Sequence, residues 1–128
     1  MRKNIQTKFD VILRADQINI TPDQPVIMSG YDARKTPSTG VHDSLFASAL
    51  FFFHYETNAL LISDDMIGFP SAFVDTVKNM ISAKTRLRPN NIMIIATHDH
   101  VVRPFTLINL NYRRQMKSTF KRLKKNLL

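Results

Sequence analysis

The sequence contains no cysteine among its 128 residues. It therefore has no disulfide framework, no thiolate nucleophile and no cysteine-based metal site. Long apolar runs are also missing, since the longest, Leu45 to Phe53, is about half the length that spans a bilayer. The first residues, MRKNIQTKFD, carry two early positive charges with no apolar segment behind them, which is not typical of a signal peptide. We therefore predict a soluble, cytoplasmic protein.

Acidic residues are missing from one end of the chain. Residues 1–100 hold ten Lys or Arg and ten Asp or Glu, whereas residues 101–128 hold eight basic residues and no acidic one. The net charge of +8 therefore comes entirely from the C-terminal segment. We predict two parts, an α/β domain over 1–104 and a basic helical tail over 105–128.

The tail has the pattern of a basic amphipathic helix. Between Asn111 and Leu128, four apolar residues fall on one helical face: Met116, Phe120, Leu123 and Leu127. The basic residues of 113–125 could contact nucleic acid or an anionic membrane. Packing of the apolar stripe on the sheet is favoured over these contacts, because no aromatic residue is interleaved on the basic face for base stacking.

The first half of the chain has strand-like patterns around a long loop. Apolar residues alternate with polar ones from Phe9 to Ala15, which predicts a half-buried strand, and Ile18 to Ile20 repeats the alternation. Residues 21–43 are rich in Pro, Gly, Asp, Ser and Thr and form a long loop of the kind that is often functional. Two apolar runs, Leu45 to Tyr55 and Ala59 to Ser63, then predict a β-hairpin with its turn at 56–58.

The second half has the pattern of a βαβ unit. Ala59 to Ile62 is apolar without alternation, as expected of a strand covered on both faces, and Ile92 to Ala96 is a second uninterrupted apolar strand. Between them the apolar residues follow a helical period over about 70–84. Strands at about 59–63 and 92–96 should therefore be parallel neighbours in one sheet. The predicted fold class is α/β, with a mixed β-sheet and the C-terminal basic amphipathic helix.

Polar side chains follow both strands of this unit. The first strand leads into Asp64 and Asp65, and the second into His98 and His100. Ligands of α/β folds bind beyond the carboxyl ends of parallel strands, and imidazole suits zinc. The alternatives are an ordinary polar loop at the histidines and an Asx-capped turn at the aspartates. His54, in an aromatic run, is interpreted as structural.

Six segments resemble, in order and rough spacing, the N-terminal domain of the neutral/alkaline (non-lysosomal) ceramidase family. They cover about residues 10–100: Ile18 to Pro22, Met28 to Arg34, Pro37 to Asp43, Leu45 to Leu50, Leu61 to Gly68, and Asn91 to His100. The resemblance implies hydrolysis of an N-acyl amide bond, with ceramide as the named lipid-like substrate, by water that zinc activates.

The resemblance also implies roles for particular residues. The Thr-His-x-His segment of the family contributes a zinc ligand, which makes His98 the expected direct ligand, helped by His100 or Asp65. Asp65 matches the acidic residue that closes the preceding strand, and we take it as the candidate catalytic residue. Apart from the resemblance, Arg34 and Lys35 in the long loop could meet an anionic group, with an ordinary exposed charge as the alternative. Arg34 and His42 of this loop are the candidate substrate-binding residues.

The sequence departs from the family after the second histidine. The family continues with Ser-Gly-Pro, whereas this chain has Val101 to Pro104. The remaining family ligands (a His, a Glu and a Tyr) and the active-site Ser lie further downstream than this chain extends. Because a catalytic zinc needs about three protein ligands and an open position, we expect a truncated or degenerate amidohydrolase, weakly active or inactive alone unless self-association completes the site. The alternatives are a non-catalytic binding protein whose basic helix meets an anionic partner, and a gene fragment.

Overall fold

A computed structural model describes residues 11–30, 33–55 and 57–100. Within these ranges the chain forms four strands and one α-helix: β1 (Ile12–Asn19), β2 (Phe46–His54), β3 (Thr57–Asp64), α1 (Ser71–Lys84) and β4 (Ile92–Ala96). A single 3-10 turn, Pro89–Asn91, leads into β4. The strands form one sheet in the order β1-β2-β3-β4.

The sheet is mixed, as predicted. β1 pairs with β2 and β2 with β3 in antiparallel fashion, whereas β3 and β4 are parallel. The predicted hairpin and βαβ unit are both confirmed. The turn of the hairpin is shorter than predicted, because Thr57 and Asn58 already pair with β2 opposite His54 and Phe53. A β-branched Thr fits a pleated strand as well as it fits a turn, so the pattern alone did not locate this boundary.

Helix α1 agrees with the predicted span of 70–84 to within one residue. Pro70 sits just before the first turn with φ −62°, where its fixed φ and missing N–H cost nothing. Val77 and Ile81, one turn apart, are buried against the sheet. The helix ends at Thr85, whose backbone N–H and side-chain hydroxyl both donate to the carbonyl of Ile81, at 2.9 and 2.8 Å.

One face of the sheet and the inner side of α1 form the core. Ile62 and Ile81 are 2% and 0% exposed. The buried apolar residues come from three of the strands, the helix and three connections: Ile20, Ala47, Ala49, Phe51, Leu60, Ile62, Met66, Val77, Ile81, Leu87 and Ile92. This core fixes β3 and β4 side by side and so fixes the positions of their carboxyl ends.

The described residues do not cover the second face of the sheet, so among them the predicted covering of Ala59 to Ile62 is present on the α1 side only. Leu60 and Ile62 are buried under α1, but Ala59 is exposed and Leu61 only half-buried. On β4, Met93 is 60% exposed for the same reason. Successive side chains of a strand point to opposite faces of the sheet, and α1 covers only one of these faces.

The start of β1 also differs from the prediction. Leu13 is 56% exposed and Ile12 50%, so this half of the strand has no buried side. Only Ile18 and the following Ile20 contact the core. β1 lies at the edge of the sheet, beyond the reach of α1. The apolar residues that alternate with polar ones at its start are therefore not buried by the described residues.

The structure does not test three predictions: the C-terminal helix, the domain boundary and the cellular location. The predicted helix from Asn111 to Leu128 and the boundary between 104 and 105 lie outside the described residues. Among residues 11–30, 33–55 and 57–100, no helix is both long enough and apolar enough to cross a bilayer. Cytoplasmic localisation stays a prediction.

Candidate functional site

The carboxyl ends of β3 and β4 lie side by side. Asp64 pairs with Ala96 at the last position of the parallel ladder. Past the strands, the N–H of Thr97 donates to the Asp64 carbonyl and that of His98 to the Met66 carbonyl, each at 2.9 Å. The two segments that carry the candidate residues are therefore joined by backbone hydrogen bonds, and the predicted convergence of polar groups at one sheet edge is present.

Asp65 links three parts of this edge. One carboxylate oxygen, Oδ2, accepts the backbone N–H of Phe46 at 2.8 Å, and the other, Oδ1, accepts the hydroxyl of Thr97 at 3.3 Å. The N–H of Asp65 in turn donates to the Phe46 carbonyl at 2.9 Å. A carboxylate with both oxygens engaged holds the start of β2 and the end of β4 against the turn after β3.

His98 has an unusual backbone conformation and a defined ring orientation. Its φ of 62° lies in the left-handed region, which costs a non-glycine residue about 1–3 kcal/mol and is found preferentially at functional sites. Nδ1 lies 2.8 Å from the carbonyl oxygen of Ile67. Because a carbonyl has no proton to donate, Nδ1 is the donor in this contact, and in the neutral form of the ring the lone pair is then on Nε2.

This arrangement around His98 is the one that metal-binding histidines use. A ligating imidazole almost always donates its other N–H to a carbonyl or carboxylate, which fixes the tautomer and the ring plane. The Ile67 carbonyl supplies that partner in the structure. The residue predicted to be the direct ligand thus has its ring held in a defined orientation by the contact of Nδ1 with the Ile67 carbonyl.

His100 lies next to His98. Their ring centres are 5.0 Å apart with an interplanar angle of 73°. Two imidazoles on one tetrahedral zinc have ring centres roughly 5 Å apart, given zinc–nitrogen bonds of about 2 Å. The separation of the two rings is therefore compatible with a shared metal ion.

The long loop contacts His100 at Gly30. Nδ1 of His100 lies 3.4 Å from the Gly30 carbonyl oxygen, a long contact for a hydrogen bond. Gly30 has φ 86°, and a Cβ built there would overlap the His100 ring, with Cγ only 2.5 Å away. Glycine is required at this position both for its backbone conformation and for the space that the ring occupies.

A cavity of about 580 Å³ lies between the long loop and the strand ends. Asp65 and Asp99 line it from the strand ends, and loop residues from 21–28 and 38–45 line the rest. His98 and His100 do not line it. Asp99, which lies between the two histidines in sequence, does line the cavity.

The two predicted substrate-binding residues are not brought together. His42 lines the cavity, but its side chain is 97% exposed, so the ring lies at the rim. Its Nδ1 is 2.7 Å from Oδ2 of Asp43. Arg34 does not line the cavity, and its Nη2 donates to the carbonyl of Pro37 at 3.1 Å within the same loop. Their roles remain predictions.

Two residues of the site were missed by sequence reasoning. Gly30 contacts His100 across 70 positions of sequence, and Thr97 bonds the carboxylate of Asp65 across 32. The only local signal was that both belong to segments quoted for the ceramidase resemblance. Neither spacing nor hydrophobic period indicates such long-range contacts.

The side chains at this edge supply only some of the ligands that a catalytic zinc ion needs. In the part of the chain that the structure describes, no group of three or more His, Asp or Glu side chains is arranged to hold a metal ion. The two imidazoles suit zinc in chemistry and separation, but a catalytic site needs about three protein ligands. The described residues therefore do not form a complete zinc site.

Comparisons with known proteins agree with this fold. No family model matches the sequence, and no curated protein matches it. Among solved structures, the neutral ceramidase from Pseudomonas aeruginosa aligns with 76% of this chain at 22% identity and a TM-score of 0.66. A ceramidase complexed with C2 aligns with 73% at 22% identity and a TM-score of 0.62.

These alignments cover a small part of the larger proteins. The shared region amounts to 16% of the Pseudomonas chain and 15% of the other ceramidase chain. The present chain thus has the fold of one piece of a neutral ceramidase. At this level of identity the likeness extends to the fold alone.

Proposed function

We propose that this chain carries part of a ceramidase-like zinc amidohydrolase site. In this proposal His98 and His100 bind zinc, and the cavity beside them receives an N-acyl amide of lipid-like character. The observation that carries the proposal is the orientation of His98, whose Nδ1 is 2.8 Å from the Ile67 carbonyl and whose Nε2 is left as a donor to metal. The likeness of fold to two ceramidases supports it.

The protein groups have distinct tasks in this proposal. When bound, zinc would polarise an amide carbonyl and make water a nucleophile near neutral pH. Asp65 was predicted to act directly in catalysis, but its two hydrogen bonds favour a positioning role. It holds Thr97, and through the backbone it holds the segment that presents His98.

The proposed activity of the chain alone is low. Two imidazoles leave a zinc ion short of one protein ligand, and a loosely held ion does not fix the attacking water. Removing one oxyanion donor from a complete site costs roughly a hundred- to a thousandfold in rate, so a site that is short of a zinc ligand should be slow.

An amidase assay tests this proposal. Hydrolysis of a short-chain fluorogenic N-acyl amide and of ceramide would be followed with added zinc over a range of protein concentrations, with His98→Ala and His42→Ala alongside. We expect turnover near background at low concentration for all three proteins. Robust turnover that His98→Ala abolishes and His42→Ala preserves would show a complete site and overturn the assignment of a partial one.

A non-catalytic binding role is the second candidate. It is favoured by one observation, that the cavity is lined by Asp65 and Asp99 but by neither His98 nor His100. In that case an N-acyl amide would bind without turnover and without dependence on zinc. Equilibrium binding of a non-hydrolysable lipid-like amide, measured with and without a chelator, separates the two candidates.

A further inference from the structure

The second face of the sheet is an apolar surface without a partner among the described residues. Ala15, Leu50, Leu61 and Met93 stand opposite one another across the four strands. Leu13 and Ile95, on neighbouring rows, are 56% and 41% exposed. This surface, here called the open face, consists of Leu13, Ala15, Gln17, Ser48, Leu50, Phe52, Ala59, Leu61, Ser63, Met93 and Ile95.

The open face has the shape and composition of a docking surface. One hollow of about 600 Å³ lies over Leu50 and Leu61, and another of about 430 Å³ lies over Phe52 and Ala59. Uninterrupted apolar strands such as β3 and β4 are typical of strands covered on both faces. Contiguous exposed apolar patches on soluble proteins usually mark an interaction site.

We propose that the chain's own C-terminal segment, residues 105–128, covers the open face. Its predicted apolar stripe, from Met116 to Leu127, extends about 16 Å at 1.5 Å per residue of helix. The four strands of the open face span about 14 Å at roughly 4.8 Å per strand. The stripe therefore has the length needed to cover the face.

The connection is long enough for this docking. His100, the last described residue, follows β4, and β4 is an edge strand of the open face. Ten residues, 101–110, can extend up to about 33 Å. That reach allows the stripe to return over the sheet from the carboxyl edge.

The charges are also compatible with docking. The polar members of the open face, Gln17, Ser48 and Ser63, are uncharged, so they do not repel or pair with the basic residues of the tail. With its stripe on the sheet, the helix would keep Lys117, Lys121 and Lys125 in solvent, where they need no partner. The inference is independent of the proposed function, because it uses neither the histidine pair nor the cavity.

Thiol labelling of the full chain tests the proposal directly, because the natural sequence has no cysteine. Ser63→Cys places one thiol on the open face in the middle of the sheet, and Ser71→Cys places one at the exposed start of α1 as a control. We expect Ser63→Cys to react at least about tenfold faster once the stripe is broken, since in the intact chain labelling requires the segment to undock first. Ser71→Cys should not change.

A double variant, Phe120→Ser with Leu123→Ser, breaks the stripe by replacing two of its apolar side chains with polar ones. The matched control is Lys121→Ser with Lys125→Ser, which changes two residues on the opposite helical face and leaves the stripe intact. The proposal expects fast labelling of Ser63→Cys with the first pair and slow labelling with the second. A reciprocal measurement uses Thr119→Cys beside the stripe and Ser118→Cys opposite it, and the former should react more slowly.

Two results would overturn the proposal. If Ser63→Cys reacts equally fast with the intact stripe, the broken stripe and the lysine control, the tail does not cover the face. If the Ser63→Cys thiol is labelled more slowly as the protein concentration rises, and this is also so in the Phe120→Ser, Leu123→Ser variant, a second copy of the chain covers the face. Circular dichroism and a denaturant titration of each variant establish that the labelling rates refer to folded protein.

Discussion

The two strand ends at the carboxyl edge of the sheet differ in how their polar groups are held. At the end of β3, Asp64 is fully buried and both oxygens of Asp65 accept hydrogen bonds. Beyond β4, His98 and His100 are exposed, and His98 takes a left-handed backbone conformation. The carboxylate end organises the edge, and the imidazole end is exposed to solvent.

The comparison separates residues that stabilise from residues that bind. Removal of the Asp65 carboxylate is costly because the backbone N–H of Phe46 loses its acceptor. An exposed imidazole held by one carbonyl can be removed with little effect on folding. Substitutions at the β3 end should therefore change stability, and substitutions at the β4 end should change metal affinity.

Ile62→Ala should have the largest effect, because it removes the core under both strand ends. Ile62 is 2% exposed in β3, and loss of a buried Ile side chain costs about 2–5 kcal/mol in free energy of unfolding. Denaturant titration measures the loss. Val41→Ala, at a side chain that is 60% exposed in the loop, should stay within about 0.5 kcal/mol. Equal losses would mean that the core has been placed wrongly.

Asp65→Ala should cost about 1–3 kcal/mol in free energy of unfolding, because the Phe46 N–H loses its acceptor and the Thr97 hydroxyl keeps only its long contact with the Asp64 carbonyl. The affinity for zinc of the fraction that remains folded should fall much less than it does in His98→Ala, because Asp65 supports the histidine segment and is not itself a ligand. Asp43→Ala, at a side chain that is 89% exposed, is the matched control and should leave stability unaltered. A stable Asp65→Ala protein that has lost its zinc affinity would make Asp65 a ligand and break the comparison.

Gly30→Ala should have a smaller effect on stability and a specific effect on the imidazole end. A side chain at φ 86° costs about 1–2 kcal/mol, and the added Cβ would displace the His100 ring. Zinc affinity should fall with it. Gly40→Ala is the control, since a Cβ there meets no atom within 4 Å. If the two variants have the same stability and the same zinc affinity, the loop does not position His100.

The βαβ unit could be predicted from sequence because its signals are local. The apolar runs at 59–62 and 92–96 and the helical period between them each extend over less than twenty residues. The elements that cover each face of the sheet could not be predicted in the same way. An uninterrupted apolar run such as Ala59 to Ile62 indicates two apolar faces, but it does not say which element covers each one.

The candidate site was predictable in place but not in detail. Strand direction alone brings Asp65 and His98 to one edge. The hydrogen bond from Phe46 to Asp65 and the contact of Gly30 with His100 depend on loop paths that no local pattern specifies. For the same reason, Arg34 and His42 were assigned to one binding role although the loop directs them to different places.

Zinc binding by the full chain is the most direct test of the account. Metal-free protein near neutral pH would be titrated with zinc in competition with a chromophoric chelator, together with His98→Ala and His42→Ala. We expect weak uptake of one zinc per chain that a strong chelator readily removes. We also expect His98→Ala to lower the affinity by at least about tenfold, since even partners of a ligand contribute that much, and His42→Ala to leave it unchanged. Wild-type protein that takes up no zinc, or a His98→Ala protein that binds it equally well, would contradict the assignment of a zinc site to this edge.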